Sequence, residues 1–214
     1  MQRYSDDFET TTDINDCRVW AWAICNIDNN FETEVGTDID DFMWQLRDSE
    51  GDSYYFHNLK FDGESIMYYL FTHGWRHIED KSHAAPRTFT TLISDTGLFY
   101  SMTLYFDMKS NKPFHYVNIY DSLKILPFSV DTIAKSFKLP ISKLEIDYSA
   151  ERPVGYQLTE QEKEYVSHDV QIVAQALKVL FDQGLNKMTQ GANALYDFKN
   201  MFGGDKAFKS FFLY

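Results

Sequence analysis

Three separate stretches of this sequence carry carboxylates in settings where they could hold a metal ion. Asp7 and Glu9 are two positions apart in an alternating segment, so a strand would direct both side chains to one face. Two like charges side by side repel, and a divalent cation between them converts that repulsion into coordination. A solvated acidic strand edge is the alternative, but the neighbouring Tyr4, Phe8 and Trp20 predict a buried, internal strand.

The other two stretches each contain one acid that also has a plain structural explanation. Asp62 follows the string HNLKF and opens a predicted helix, where the helix dipole alone favours an acid. Asp169 lies in a predicted long helix four residues after Tyr165, so the two share a face, as a surface acid beside a core tyrosine also would. The adjacent His168 is turned about 100° away from Asp169, and we interpret it as a surface histidine.

The elements that position these acids follow from hydrophobic periodicity and turn residues. Strands are predicted over residues 3–9, 18–27, 31–35, 53–57, 88–94, 98–106 and 114–120. Helices are predicted over residues 38–47, 62–74, 130–137, 159–184 and 192–201. Thr159 and Glu162 form a predicted capping box, and Asp95-Thr96-Gly97 a hairpin turn. Strands first, with helices between and after them, predict a mixed α/β sheet with helices packed on it.

The composition indicates one domain with a large core. The 214 residues are 44% hydrophobic and 17% aromatic, so some rings could stack on bases while most fill the core. The net charge of −12 argues against tight duplex binding by this chain alone. Cys17 and Cys25 fit no zinc-binding pattern and are predicted to be reduced core thiols. With no signal peptide and no apolar run of membrane length, we expect a soluble cytoplasmic protein with no membrane partner.

The order and the neighbours of the acidic stretches are more specific than any one of them. DFETTT at 7–12, then NLKFDG at 58–63, then Tyr165-x-x-x-Asp169 resemble the DEDD-type proofreading exonucleases of the tyrosine subclass. More narrowly, the chain is similar, over residues 4–201, to the exonuclease domain of protein-primed family B DNA polymerases from small tailed Bacillus phages. The strings that carry this likeness are CRVWA at 17–21, YFHNLKFDG at 55–63, YDSLK at 120–124, IDY at 146–148 and ERPVGY at 151–156.

The resemblance implies an RNase H-like fold and removal of nucleotides from single-stranded DNA 3′ ends with two divalent cations, Mg²⁺ or Mn²⁺. By this resemblance the metal ligands are Asp7, Glu9, Asp62 and Asp169. Asp7 would bridge both ions and Asp62 would be the more distant ligand. Tyr165 would orient the attacking water, and Lys143 would contact the scissile phosphate.

The resemblance also implies contacts with the DNA strand. They are Thr10, His57, Asn58, Phe61, Ser122, Leu123 and Tyr148. Phe61 and Leu123 would stack on or wedge between terminal bases, although Leu123 would suit a core equally well. Hydroxyl and amide groups of this set would bond the sugar-phosphate, and Tyr148 would help position the strand end. At Ser65 the chain departs from the family, which usually carries a phenylalanine that touches the DNA there.

The last part of the chain is predicted to be separate from the nuclease. Residues 1–189 would form the exonuclease domain, and residues 190–214 a helical appendage whose aromatic, lysine-containing end follows Gly203-Gly204. That end is predicted to expose Phe208, Phe211, Phe212 and Tyr214, and it would either dock on a partner or pack back on its own domain.

The polymerase motifs D-x-x-S-L-Y-P and Y-x-D-T-D do not occur in the sequence, so we expect no DNA synthesis. An excised domain, a free-standing exonuclease and one subunit of a split polymerase all stay open. Besides a single-stranded 3′ end, a separate polymerase subunit or a terminal protein is a candidate partner.

A non-catalytic acidic protein that binds a polymerase core is the competing prediction. The net charge and the missing polymerase motifs motivate it. The presence of all four carboxylates together with Tyr165 and Lys143 favours the nuclease instead. RNA as the substrate also stays open, because a preference for the 2′-hydroxyl depends on the shape of the pocket.

Overall fold

A computed structural model describes residues 1–13, 15–110 and 112–212 of the chain. The strands are β1 Arg3–Thr10, β2 Val19–Asn26, β3 Thr33–Gly36, β4 Glu50–Phe56, β5 Arg76–His77, β6 Thr88–Ile93, β7 Phe99–Tyr105, β8 Met108–Lys109, β9 Lys112–Pro113 and β10 Tyr116–Asp121. The helices are α1 Ile39–Leu46, α2 Leu59–Thr72, α3 Val130–Ser136, α4 Glu160–Asp182, α5 Gln190–Met201 and α6 Asp205–Phe212. The predicted mixed α/β sheet with flanking helices is confirmed.

The central sheet contains eight strands in the order β3-β2-β1-β4-β10-β7-β6-β5. β1, β4 and β10 run parallel at its middle, and β2 and β7 pair antiparallel on either side of them. The short edge strand β5 pairs parallel with β6. The predicted hairpin at 95–97 joins β6 to β7, which pair antiparallel. The carboxyl ends of β4 and β10 therefore lie side by side and bring their following loops together.

Helices cover both faces of the sheet and create two cores. Seven of the eight residues of β2 are buried, because alternate side chains enter alternate cores. Ala21 and Ala23 face the core beneath α4, whereas Trp22 and Ile24 face the core beneath α1 and α2. Phe8 of β1 also enters the second core. Its neighbours in β1 at positions 7 and 9 consequently point toward α4.

The long helix α4 lies across β1 and β2. It begins where the sequence predicts, with a complete capping box in which Thr159 bonds the N–H of Glu162 and Glu162 bonds back. Buried residues recur every three or four positions along one face, and both Tyr165 and Asp169 belong to that face. The helix therefore carries Tyr165 and Asp169 to the inward-facing acids of β1.

Helix α2 begins at Leu59, three residues before the predicted start at Asp62. Asn58 precedes it in a left-handed conformation (φ 76°), which asparagine tolerates better than most residues. At Gly63 an added Cβ would lie 3.2 Å from the ring of Phe99, so α2 packs closely on β7. Asp62 thus lies buried in the first turn and is not the helix cap.

Other differences from the prediction concern short elements and the chain end. β5, β8 and β9 have two residues each, too few to produce a hydrophobic period. Asp205–Phe212, which follow Gly203-Gly204, form α6, because their aromatic and lysine residues give an amphipathic helix. Cys25 is buried but Cys17 is exposed, so the prediction of two core thiols is wrong for Cys17. None of the described helices combines the length and apolar character needed to cross a membrane.

The aromatic end of the chain packs largely against α5. The ring centroid of Phe198 lies 5.8 Å from that of Phe208, and Phe202 lies 5.2 Å from Phe212. Phe208 is half-buried, whereas Phe211 remains 65% exposed. The prediction that the end is exposed therefore holds for Phe211 and Phe212 but is wrong for Phe208. Tyr214 lies outside the described residues.

Candidate active site

Three of the predicted carboxylates meet at one cavity. Oxygen atoms of Asp7, Glu9 and Asp169 all lie within 4.8 Å of one another. β1 contributes Asp7 and Glu9 from one face, and α4 contributes Asp169 from its inward face. The adjoining cavity has a volume of about 220 Å³ and is also lined by Lys143, Tyr148 and Tyr165. Hard oxygen donors gathered this closely suit a divalent cation such as Mg²⁺ or Mn²⁺.

Asp62, the fourth predicted ligand, lies beside this group but outside it. Its Oδ1 accepts a hydrogen bond of 3.3 Å from the backbone N–H of Phe8. Its negative charge raises the pKa of Asp7 more than any other neighbouring charge does. Asp62 therefore adds to the electrostatic potential of the site from a position held by β1.

Burial and mutual repulsion make ionisation of these acids unfavourable without a cation. Burial raises the pKa of Asp7 well above its usual value, and the charges of Asp62, Glu9 and Asp169 raise it further. Burial also raises the pKa of Glu9 to about 7, opposed by a hydrogen bond from Tyr165. Burial raises the pKa of Asp62 to about 7, opposed by backbone N–H groups. A bound cation would remove this penalty.

Lys143 supplies the positive charge nearest to the acids. Its Nζ donates a hydrogen bond to Oδ2 of Asp169 and lies 5.3 Å from the ring centroid of Tyr165. Burial raises the pKa of Asp169, and Lys143 opposes the rise. The second oxygen of Asp169, Oδ1, is buried without a hydrogen-bond partner among the described residues. A buried carboxylate oxygen left in this way fits a metal ligand.

Two tyrosines connect the acids to the surface. The hydroxyl oxygens of Tyr165 and Tyr148 are 2.6 Å apart. Burial raises the pKa of Tyr165, and the charge of Glu9 raises it further, so its hydroxyl keeps its proton. Tyr165 is almost completely buried, whereas Tyr148 is 50% exposed. The pair therefore reaches from the carboxylates to the mouth of the cavity.

His57 is engaged within the protein. Its Nδ1 lies 3.0 Å from Oγ of Ser122, and its Nε2 lies 2.7 Å from the carbonyl oxygen of Phe128. Burial lowers the pKa of His57, which keeps the ring neutral. Ser122 is fully buried, and its Oγ also lies 3.0 Å from the carbonyl oxygen of Phe56. The Ser122 hydroxyl is therefore engaged within the protein in this arrangement, and its bond to a DNA strand stays a prediction.

The other predicted strand contacts are more accessible. Phe61 is 68% exposed on the first turn of α2, and Thr10 is exposed at the end of β1. Thr10 and Tyr148 both line a second cavity of about 330 Å³ next to the first. Asn58 and Leu123 are half-buried in the two loops that follow β4 and β10.

The structure adds two contacts that the sequence did not predict. Asp121 is fully buried, and its Oδ1 accepts hydrogen bonds from the N–H of Asn58 (3.1 Å) and of Leu123 (2.9 Å). His168 does not line the cavity, but its Nδ1 lies 2.9 Å from the carbonyl oxygen of Ser142, next to Lys143. The YDSLK string contains Asp121, yet nothing in it indicates a partner 63 residues away.

Known proteins resemble the chain along most of its length. The family described as DNA polymerase type B, organellar and viral, matches residues 45–153. The DNA polymerase of Bacillus phage phi29 is 45% identical over 98% of this chain and 35% of its own length. That of Bacillus phage B103 is 44% identical over 97% of this chain and 36% of its own length. The chain therefore spans little more than a third of these curated relatives.

Solved structures give the same result. Phi29 DNA polymerase complexed with single-stranded DNA has a TM-score of 0.90 at 42% identity, covering 97% of this chain and 36% of that chain. Its ternary complex with primer-template DNA and incoming nucleotide substrates has a TM-score of 0.89 at 42% identity, covering 97% and 35%. Both the family resemblance and the fold class expected from the sequence are confirmed.

Proposed function

Because the chain belongs to the family of organellar and viral type B DNA polymerases, we propose that it is a 3′-to-5′ exonuclease acting on single-stranded DNA ends. Its role would be proofreading for a protein-primed family B polymerase, as a domain or as a subunit. The observation that carries this proposal is the convergence of Asp7, Glu9 and Asp169 on one cavity, with Lys143 and Tyr165 beside them. Residues 1–189 would be the nuclease and residues 190–214 an appendage.

The carboxylates fit divalent cations in number, chemistry and burial. Asp7, Glu9 and Asp169 would be direct ligands, and the unpartnered Oδ1 of Asp169 supports this. Asp62, bonded to the backbone of β1, would act from farther away. Two ions, Mg²⁺ or Mn²⁺, would lower the pKa of the attacking water and stabilise the leaving 3′-oxygen.

The chain's own groups would bind and orient the reactants. Tyr165 remains protonated and lies next to Glu9, so its hydroxyl can orient a water molecule near the carboxylates. Lys143 has three N–H donors and uses one on Asp169, which leaves donors for the scissile phosphate. Tyr148 would hold the strand end through its exposed part while its hydroxyl contacts Tyr165.

The strand itself would approach along exposed side chains around the cavity. Phe61 offers a ring for base stacking, which tolerates any base sequence. Thr10 offers a hydroxyl at the end of β1, and Asn58 and Leu123 lie in the two loops that follow β4 and β10. Such contacts suit brief binding of a single strand, in keeping with the net charge of −12.

A digestion assay tests the proposal directly. The chain is mixed with a 5′-labelled single-stranded oligonucleotide and with Mg²⁺, Mn²⁺ or a chelator. We expect stepwise shortening from the 3′ end with metal only, and a loss of at least about a hundredfold in Asp7→Ala and Asp169→Ala. Asp182→Asn, an exposed acid on the same helix as Asp169, is the matched control and should retain full activity.

The alternatives give different results in the same experiment. Full activity in Asp7→Ala, or no shortening with either metal, would refute the proposal. A folded but inactive chain that still binds a polymerase core would indicate the non-catalytic acidic protein instead. An RNA of the same sequence measures the preference for the sugar.

A further inference from the structure

Lys143 and Tyr148 both belong to a long loop between α3 and α4. Residues 139–158, here called the 139–158 loop, contain neither helix nor strand. Holding two side chains in place on such a segment requires specific contacts, because the unrestrained backbone has many conformations. Among the contacts that hold the loop, one hydrogen-bonded anchor lies near each of these side chains.

The anchor near Tyr148 is a buried arginine. Arg152 is only 7% exposed, and its guanidinium lies 4.0 Å from the ring centroid of Trp20. Its Nε donates to Oε1 of Glu162 at 2.9 Å. Its Nη2 donates to the carbonyl of Asp147 at 2.9 Å, and its Nη1 donates to the carbonyl of Ala150 at 3.2 Å. Every nitrogen of the guanidinium is therefore used inside the protein.

Further hydrogen bonds hold both Glu162 and the backbone of Arg152 in place. Glu162 lies in the first turn of α4, and its Oε2 accepts hydrogen bonds of 2.9 Å from Tyr156 and from the N–H of Thr159. The carbonyl of Arg152 accepts a hydrogen bond from Nη2 of Arg18, which precedes β2. Arg152 thus ties the loop to the start of α4 and to the region before β2.

We propose that Arg152 is a positioning residue that sets the place of Tyr148 against Tyr165. The carbonyl of Asp147 belongs to the peptide bond that leads into Tyr148, so a guanidinium bonded to it restrains the backbone from which that side chain starts. The hydroxyls of the two tyrosines are 2.6 Å apart, a distance that a small shift of the loop would abolish. This inference rests on the proposed exonuclease function for its catalytic consequence.

The position of Lys143 does not depend on Arg152 in this way. Its backbone follows Ser142, whose carbonyl is bonded by His168 of α4. That second anchor holds the early part of the loop independently of Arg152. The proposal therefore predicts a selective effect on Tyr148.

Replacing Arg152 by lysine distinguishes an effect of positioning from an effect of charge. It keeps a positive charge opposite Glu162 but lacks the planar fork that bonds a carboxylate and two carbonyls at once. The charge itself also matters, because Arg152 lowers the pKa of Glu9 at a distance. Arg152→Lys preserves that effect and removes the geometry, so it separates positioning from electrostatics.

A double-mutant cycle between Arg152→Lys and Tyr148→Phe tests the coupling. We expect each single variant to lower kcat/KM for single-stranded DNA by about tenfold, and the double variant to be no worse than Tyr148→Phe. An equal loss from Arg152→Lys in both backgrounds would overturn the proposal, as would no loss at all. In a cycle with His168→Ala, the losses should multiply.

A spectroscopic measurement keeps the inference testable apart from catalysis. Tyrosine ¹³Cζ NMR of the metal-free chain, assigned with Tyr148→Phe and Tyr165→Phe, reports the hydroxyl pair directly. We expect Arg152→Lys to shift both signals, and unchanged signals would overturn the proposal even if the chain has no nuclease activity. If that variant does not fold, Glu162→Gln, which leaves Arg152 an acceptor oxygen but weakens its anchor, should shift the same signals by less.

Arg3→Lys is the matched control for general destabilisation. Arg3 pairs with Asp28 and lies 4.5 Å from the ring centroid of Phe181, the same chemistry at the other end of β1. We expect it to lower Tm while leaving kcat/KM and the two tyrosine signals unchanged. If Arg3→Lys changed kcat/KM and the tyrosine signals as much as Arg152→Lys does, the loss of any arginine anchor would disturb the site.

Discussion

At the scale of single residues, Asp169 joins the positive and negative parts of the site. One of its oxygens is bonded by Lys143, and the other has no partner among the described residues. A lysine in this place stabilises the acids in the absence of metal, but its charge also opposes the binding of a cation. Lys143 should therefore have opposite effects on metal affinity and on turnover.

Replacement of Lys143 by methionine tests this conflict. We expect kcat to fall by about a hundredfold or more, because positive charge is lost at the scissile phosphate. The affinity for Mn²⁺, measured by titration calorimetry without DNA, should increase because a competing cation is gone. Lys163→Met removes an exposed lysine paired with Glu160 and should change neither quantity. Weaker Mn²⁺ binding in Lys143→Met would contradict this account.

The raised pKa values predict how stability depends on pH without metal. Glu9 titrates near 4.5 in an ordinary setting and at about 7 in the folded chain. Between those values the folded chain holds a proton that the unfolded chain has released, so the free energy of unfolding falls as pH rises through this window. Asp62, with a pKa of about 7, contributes in the same direction.

This dependence is measured as Tm in a chelator between pH 4.5 and pH 8. Glu9→Gln removes one of the titrating groups, so its Tm should fall less steeply than that of the unaltered chain. Mn²⁺ should restore the lost stability at pH 8, because it binds the ionised carboxylates of the folded state. A Tm that rises over this range, or an equal slope in Glu9→Gln, would show that these acids do not titrate as described.

The sequence was sufficient to predict the acids but not all of their neighbours. Period-two spacing placed Asp7 and Glu9 on one face, and helical spacing placed Tyr165 with Asp169; the structure brings these two pairs together. The place of Asp62 beside Phe8 depends on a long-range contact, which local spacing does not reveal. The burial of Ser122 was not predictable for the same reason, since it also depends on contacts with distant residues.

At the scale of elements, Asp121 connects the two loops that flank the cavity. One oxygen accepts the N–H of Asn58 before α2 and the N–H of Leu123 after β10, and the other lies 3.0 Å from Nζ of Lys124. The left-handed turn at Asn58 therefore depends on a carboxylate from another strand. This contact holds the residue that precedes α2.

Two replacements of Asp121 separate its hydrogen bonds from its charge. Asp121→Leu should lower the free energy of unfolding by about 2–4 kcal/mol, because two half-buried N–H groups lose the carboxylate oxygen that accepts from both. Asp121→Asn keeps an acceptor oxygen and should cost less than half as much. Urea denaturation of both variants measures the difference. Equal losses would show that the charge, and not the pair of hydrogen bonds, is what stabilises the loops.

Most elements were predictable because their signals are local. The capping box fixed the start of α4, and the turn at 95–97 fixed the β6–β7 hairpin. The start of α2 was not predictable from Asp62, since an acid in the first turn and an acid at the cap have the same sequence preference. The order of strands in the sheet was also beyond the sequence, because it depends on pairing between distant segments.

At the scale of the whole molecule, the helices α5 and α6 form their own aromatic cluster. Phe198, Phe202, Phe208 and Phe212 contact one another, so these rings are covered mainly by each other. Deletion of residues 203–214 should therefore leave exonuclease activity within about twofold of the intact chain and change Tm little. Measured kcat and Tm test this, and a loss of activity would place the boundary of the nuclease beyond residue 189.

The two-faced character of β1 has an evolutionary consequence. Phe8 enters one core while Asp7 and Glu9 face α4, so successive side chains of β1 must alternate between an apolar and an acidic environment. Inserting or deleting one codon within β1 would move an acid into an apolar core and a phenylalanine into the site. Selection should therefore reject such length changes there, while tolerating them in the turn around residue 29, between β2 and β3.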